Sequence, residues 1–375
     1  MNSLLEFLPP LPALFGQLIV GLINGSFYAL LSLGLALIFG LLNVVNFAHG
    51  AQYMLGALTA WLLLKYLGLS YWASLLFAPI VVGVVGFIVE RLFLRHLYRL
   101  DHLYGMLLTF GLTLIAEGIV RNIFGASGEG YPTPAALSGA WNFGFMLLPH
   151  YRGWVIAVSL VVCIATWLAI EKTSIGSYVR AATENAPLTR AFGINVPRIL
   201  VLTYSFGVAL AGFAGVMAAP LYQVNANMGS ELIIVVFAVV VIGGMGSIIG
   251  AVISGFSLGI IEGLTKVFYP QASTTVVFVV MAIVLLLRPS GLFGVVQSQR
   301  GEVAEPLSPA SFRVLDSRNT HLVLLGLLIT APALIYPPFL MKVLCFALLA
   351  CSFNLLLGYC GMLSFGHAAF YGAGT

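Results

Sequence analysis

The chain has 375 residues, 61% of them hydrophobic and only 7% charged, with a net charge of +4. A soluble domain carries roughly 25% charge, so a water-soluble globule is excluded, and no basic stripe interleaved with aromatics points to nucleic acid. Several apolar runs reach about 20 residues, enough to cross a hydrocarbon core, and they lack the strict alternation of a membrane barrel.

The fold class is therefore an all-α polytopic membrane protein. The opening stretch, MNSLLEFLPPLPALFGQ, has neither a basic leader nor a small-residue cleavage site, so no removed signal peptide is expected. Apolar runs follow near residues 14–42, 47–67, 71–94, 103–124, 153–170, 198–222, 231–249, 250–266 and 272–288. The next stretch is polar and rich in Pro, Gly and Ser, which marks a linker. Runs then resume near 322–340 and 341–358, and a last one starts near 363. This predicts about eight transmembrane helices in a first domain, residues 1–290. A linker over 291–320 and the first two to three helices of a second domain, 321–375, follow. Because the last run stops at Thr375 without cap or charge, the expectation is a fragment or truncated fusion of a longer protein.

Lys and Arg set the expected orientation. Loops 90–102, 172–198 and 288–320 hold Arg91, Arg95, Arg99, Lys172, Arg180, Arg190, Arg198, Arg288, Arg300, Arg313 and Arg318. The other side receives Lys65, Arg121, Arg152, Lys266 and Lys342. The bias puts the three loops and the linker in the cytoplasm and the N-terminus outside.

One phrase occurs twice. Residues 29–56, ALLSLGLALIFGLLNVVNFAHGAQYMLG, align without gaps to 347–374, ALLACSFNLLLGYCGMLSFGHAAFYGAG, sharing Gly40/Gly358, Phe47/Phe365, His49/His367, Tyr53/Tyr371 and Gly56/Gly374. Both copies follow a cytoplasmic turn and enter the membrane the same way. The halves are therefore parallel repeats about an axis along the membrane normal.

Few residues carry candidate chemistry. Asn43, Asn46, His49, Glu117 and His367 are candidates for a translocation pathway. The alternative for His49 and His367, and the preferred one, is a helix-start histidine bonded to a backbone carbonyl. No partner at i+3 or i+4 supports a metal site. Glu117 is expected to pair with Arg121 one turn on, and Glu262 with Lys266 in the same i,i+4 arrangement. Gly243, Gly244 and Gly246 belong to a tight cytoplasmic turn, with an exposed backbone ligand site as the alternative reading. Cys163, Cys345, Cys351 and Cys360 read as small core residues. No GxxxxGK[ST] phosphate loop occurs, so ATP is not cradled here in the usual way and no cofactor is expected in this chain.

The loop EKTSIGSYVRAATENAPLTRAFGINVPRIL, residues 171–200, carries helix punctuation. Ser177 is expected to cap one short helix through Glu184, and Asn185 a second, with Pro187 in its first turn and Gly193 as terminator. Two amphipathic helices along the cytoplasmic face would offer Arg180, Glu184 and Arg190 to a soluble partner.

This loop resembles the coupling segment of bacterial ABC-importer permeases for branched-chain amino acids. The stretches at 22–57, 238–264 and 285–294 are similar to other parts of the same family, covering residues 16–294 as its first permease type. Residues 322–375 resemble the start of the second type. The resemblance implies a translocation subunit of the bacterial inner membrane, with the N-terminus in the periplasm, and not an enzyme. Its implied partners are cytoplasmic ABC ATPases, a periplasmic substrate-binding protein and a second permease half, all in contact with membrane lipid. Arg180, Ala181, Glu184, Asn185, Ala186 and Gly193 match the coupling motif and, with Arg190, would seat in the ATPase. Pro187 departs from the family's usual order. Urea, amide and aromatic-acid importers share the pattern. The competing class is an ion-coupled transporter or channel for a small polar solute, with Glu117 as its support. An intramembrane enzyme lacks a paired nucleophile and base.

Overall fold

The computed structural model describes residues 10–42, 45–98, 102–144 and 146–294, and beyond these 322, 325–326, 329–332, 335–359 and 372. Asn43, His367, Cys360 and nearly all of the expected linker lie outside the described residues. The chain divides into two compact units, Met1–Glu302 and Val303–Thr375.

The first unit is a helical bundle. Its long helices are α1 (Leu11–Leu42), α2 (His49–Leu67), α3 (Tyr71–Val89) and α4 (His102–Phe124). After α3 the chain passes through a π turn at Glu90–Leu94 and a short helical segment, Arg95–Leu97. Then come α5 (His150–Lys172), the short α6 (Ser174–Glu184) and α7 (Ala186–Ala191), α8 (Val196–Ala218), α9 (Met228–Gly243), α10 (Ile248–Phe268) and α11 (Thr275–Leu287). Local chemistry sets many ends. Ser70, Asn185, Asn195 and Ser247 each accept a backbone N–H three residues on, which satisfies one orphan donor of the following helix.

Among the described residues, seven helices are long and apolar enough to cross a membrane, six of them in the first unit. The others there are α2, which carries His49 and Gln52 within a nearly continuous buried stretch, and the shorter α9 and α11. The described part of this unit thus has nine apolar helices outside the α6–α7 pair, one more than the expected eight. An outer N-terminus and an inner linker cannot be joined by an even number of crossings, so the expected eight and the expected orientation do not fit each other.

Contacts sort the connections onto two ends of the bundle. At one end Leu42 packs on the Val179, Ala182 and Val196 cluster, Gly40 meets Gly246, and Arg91 and Arg95 approach Asn195 and Arg198. At the other, Trp61 meets Phe124 edge-on, Tyr151 donates to the Met217 carbonyl at 2.8 Å, and Glu129 bridges to Val224. A small antiparallel hairpin, β1 (Ala140–Asn142) with β2 (Leu147–Pro149), belongs to this second end.

Inside the bundle, helices touch through backbone. α1 packs most extensively on α10, and α8 on α3, α2 and α1. Gly21 and Gly25 face Gly255, Gly259 and Gly263, and Gly56 faces Gly212, so closely that a Cβ at Gly21, Gly259, Gly263 or Gly56 would strike the opposing main chain. Small residues provide such approach where lipid gives no hydrophobic drive to helix association.

In the second unit the clearest element is α12 (Pro337–Asn354), continued by a π turn at Leu355–Tyr359. It runs through the expected break at 340/341. Apolarity gave no boundary there, whereas Pro337 and Pro338 occupy the first positions of the helix, where a missing N–H costs nothing. Cys345 and Cys351 are exposed on this helix, so the core assignment holds for Cys163 alone among the described cysteines.

Candidate functional site

A cavity of about 550 Å3 opens at the end of the bundle opposite α6 and α7. Asn24, Phe27 and Tyr28 of α1 line it, with Tyr53 of α2, Tyr222, Gln223 and Asn225 of the α8–α9 connection, and Met228 and Glu231 of α9. Tyr222 packs edge-on against Phe27, with ring centroids 6.0 Å apart, and its hydroxyl donates to Asn24 Oδ1 at 3.1 Å. Burial, and then the charge of Glu262, push the Tyr222 hydroxyl above its ordinary pKa, so it stays a neutral donor.

Behind this wall sits Glu262 of α10. It accepts from Tyr28 Oη at 2.7 Å and from Asn24 Nδ2 at 3.3 Å, and pairs with Lys266 at 2.6 Å. The expected Glu262–Lys266 pair forms, but it also anchors two residues of the cavity. Glu231, in the first turn of α9, is exposed at the cavity. The lining thus combines aromatic faces, amides and one accessible carboxylate. That suits a small polar solute carrying a cationic group. Sequence reasoning noted only Tyr53 among the lining residues, as part of the repeated phrase, and assigned none of them to a site, since each is ordinary within its own segment.

The repeated phrase forms a turn inside the bundle. Phe47 N–H donates to Thr109 Oγ1 at 3.1 Å, and the Phe47 ring lies 4.8 Å from that of Phe237. Asn46 and His49 are fully buried. Asn46 Oδ1 accepts from Ala48 N–H at 3.1 Å, its amide donates to Gln52 Oε1 at 3.2 Å, and Gln52 in turn reaches Tyr204 Oη at 3.3 Å. His49 Nε2 donates to the Leu31 carbonyl at 3.0 Å, in the middle of α1. Irregular backbone survives at membrane depth only when protein covers it. These side chains satisfy a turn that water cannot reach, and neither Asn46 nor His49 lines the cavity.

Glu117 is buried on α4, and its Oε1 has no hydrogen-bond partner. The expected pair with Arg121 does not form. Arg121 Nη2 instead donates to Asn227 Oδ1 at 2.6 Å, a partner 106 positions away that fixes the α8–α9 connection.

At the opposite end, α6 and α7 form the expected pair of short helices, with one shift. The first begins at Ser174 after Thr173, three residues before Ser177, because Gly176 lets it fold back onto the Ile170 backbone. Asn185 Oδ1 caps α7 through Leu188 N–H at 3.0 Å, Pro187 occupies its first turn, and Gly193 takes φ 81°. The Thr189 hydroxyl donates to the Ala181 carbonyl at 2.8 Å and ties the two helices together. Arg180 was expected to face a partner, yet it serves its own chain as well. Its Nη1 donates to the Ile170 carbonyl at 2.7 Å and to Glu171 at 3.3 Å. Ala186 is half-buried; Glu184 and Arg190 stay exposed beside exposed Ile175, Tyr178, Leu188 and Phe192. An apolar surface rimmed by charge projects from the membrane end.

Gly243, Gly244 and Gly246 reverse the chain between α9 and α10. Gly244 has φ 100° and Gly246 φ 84°, values that disfavour any side chain. The carbonyls freed at the end of α9 are used: Ile242 O accepts from Leu292 N–H at 2.9 Å and Gly243 O from Phe293 N–H at 3.1 Å. No group of His, Cys, Asp or Glu among the described residues could hold a metal ion.

Comparison with known proteins agrees with this architecture. Residues 17–287 match the sequence model of the family described as branched-chain amino acid transport system / permease component. The chain is similar to the high-affinity branched-chain amino acid transport system permease protein BraD of Pseudomonas aeruginosa. The two are 31% identical over 293 residues, 74% of this chain and 95% of that protein. It is 28% identical to LivH of Escherichia coli K12 over 295 residues, 74% of this chain and 94% of LivH. With LivM of the same organism it shares 27% over 295 residues, 72% of this chain and 69% of LivM. No solved structure matches.

Proposed function

This chain belongs to the branched-chain amino acid transport permease family, and on that premise we propose that it carries branched-chain or closely related amino acids into the bacterial cytoplasm. It is a membrane translocation subunit of an ABC importer, not an enzyme. ATP is hydrolysed in partner ATPases that engage α6 and α7. A periplasmic binding protein delivers substrate at the cavity end, and a second permease half completes the pathway. Residues 321–375 belong to such a half, joined through a cytoplasmic linker.

The observation that carries this reading is the opposed placement of two features. The cavity lies at one end of the bundle and the exposed helix pair at the other. Positive charge supports the orientation. Arg91, Arg95, Lys172, Arg180, Arg190, Arg198 and Arg288 lie toward the helix-pair end, against Lys65, Arg121, Arg152 and Lys266. Within the cavity, Glu231 is the group for a substrate ammonium, and Asn24 and Asn225 each keep a second amide N–H for its carboxylate, whereas the Tyr222 O–H is already given to Asn24.

The test is uptake of radiolabelled leucine by cells carrying the whole importer. Glu231→Gln raises KM about tenfold, the scale of one charge-assisted hydrogen bond, and Asn225→Trp abolishes uptake while the ATPase still co-purifies. Unchanged uptake in both variants overturns the cavity as pathway. Unchanged uptake in ATP-depleted cells overturns the import mechanism.

A further inference from the structure

A second cavity, a groove of about 490 Å3, lies between α3 and α8 at the helix-pair end. Arg91 and Arg95 enter it from the π turn and the segment after it, and Arg198 enters from the first turn of α8. All three are exposed, and none of their guanidiniums makes a hydrogen bond or ion pair with the described residues. Among the described residues, no acidic side chain lines the groove. The neighbouring Glu90 is turned inward, with 1% of its surface exposed, and accepts from Tyr98 Oη at 2.8 Å.

Glu90 balances Arg91 and Arg95 in part through space, while Arg198 has no carboxylate partner among the described residues. Arg198 sits at a helix N-terminus, where the macrodipole already favours an anion and disfavours a cation. The backbone does not supply the recognition, because Asn195 Oδ1 takes the Arg198 N–H and Pro197 has none. The remaining lining is apolar: Phe87, Pro197, Val201 and Leu202. Phe87 and Leu202 are exposed on helices that cross the membrane, so the groove runs from a cationic mouth onto a surface facing hydrocarbon.

We propose that this groove is a binding site for an anionic phospholipid. The three guanidiniums grip the phosphate of the headgroup through paired N–H donors, and an acyl chain lies along Phe87 and Leu202. A soluble phosphate would satisfy the arginines and leave the apolar wall unused. Basic pockets between transmembrane helices bind anionic headgroups, each cation contributing about fivefold in affinity.

The test uses the complete importer in nanodiscs of equal phosphatidylglycerol and phosphatidylcholine, then measures lipid retained through detergent purification by mass spectrometry. Wild type retains phosphatidylglycerol selectively. Each of Arg91→Gln, Arg95→Gln and Arg198→Gln lowers that retention about fivefold, and the matching Lys variants retain most of it. Millimolar inorganic phosphate does not displace the lipid. A photoactivatable phosphatidylglycerol cross-links wild type at peptides containing Phe87 or Leu202, a readout independent of variant folding. Equal retention of both lipids, or cross-links confined to other helices, overturns the site. So do displacement by phosphate alone and loss of a partner subunit in place of lipid from the Gln variants.

Discussion

The Tyr28 hydroxyl donates to Glu262 Oε2 across 2.7 Å, joining α1 to α10 through residues 234 positions apart. The bond couples a cavity wall to a buried ion pair. Removing the hydroxyl in Tyr28→Phe costs about 1 kcal/mol. Removing the acid in Glu262→Ala strands a largely shielded Lys266 and costs about 3 kcal/mol. Thermal unfolding in detergent resolves the order; equal midpoints for the two variants contradict it.

The glycine seams predict sharp sterics. Gly56→Leu drives a side chain into the Gly212 backbone and lowers stability by about 2 kcal/mol or more, as overpacking does. Gly118 lies on α4 with open space around its Cα, so Gly118→Ala is neutral or stabilising by up to about 1 kcal/mol. Folded yield by size-exclusion chromatography separates the two, and equal losses at both positions refute close backbone contact.

The short helices predict a split between docking and folding. Leu188 is exposed, and Leu188→Glu removes ATPase co-purification without moving the thermal midpoint. Arg180→Ala lowers both, because it also releases the Ile170 carbonyl. If Leu188→Glu unfolds the protein or leaves the ATPase bound, the exposed surface is not the docking face.

At the α9–α10 reversal, Gly244→Ala must hold a side chain at φ 100° and against the backbone of Gly294. The expected cost is about 1–3 kcal/mol. Hydrogen exchange at Leu292 and Phe293, whose N–H groups close this turn, speeds up in the variant. Unchanged protection there counts against the closure.

Much of the helical layout was legible in the sequence because its determinants are local. Asn185 and Pro187 punctuate α7 within four residues, and Glu262 meets Lys266 one turn away. The Glu117–Arg121 expectation used the same rule and failed, because Asn227, distant in sequence, offers Arg121 a hydrogen bond. The cavity was illegible for the same reason. Asn24, Tyr53, Tyr222 and Glu231 come from four segments that only the packed bundle brings together. His49 fell between: its burial at a helix start follows from its flanking apolar runs, while its Leu31 acceptor depends on how α1 and α2 cross.

The bond from Arg180 to Ile170 has a mechanical meaning. With Gly176 seated on the same carbonyl and Thr189 clasping Ala181, the foot under α5 has little slack to absorb displacement. A push delivered to that foot is passed to the rod above it instead of being spent in bending the ankle.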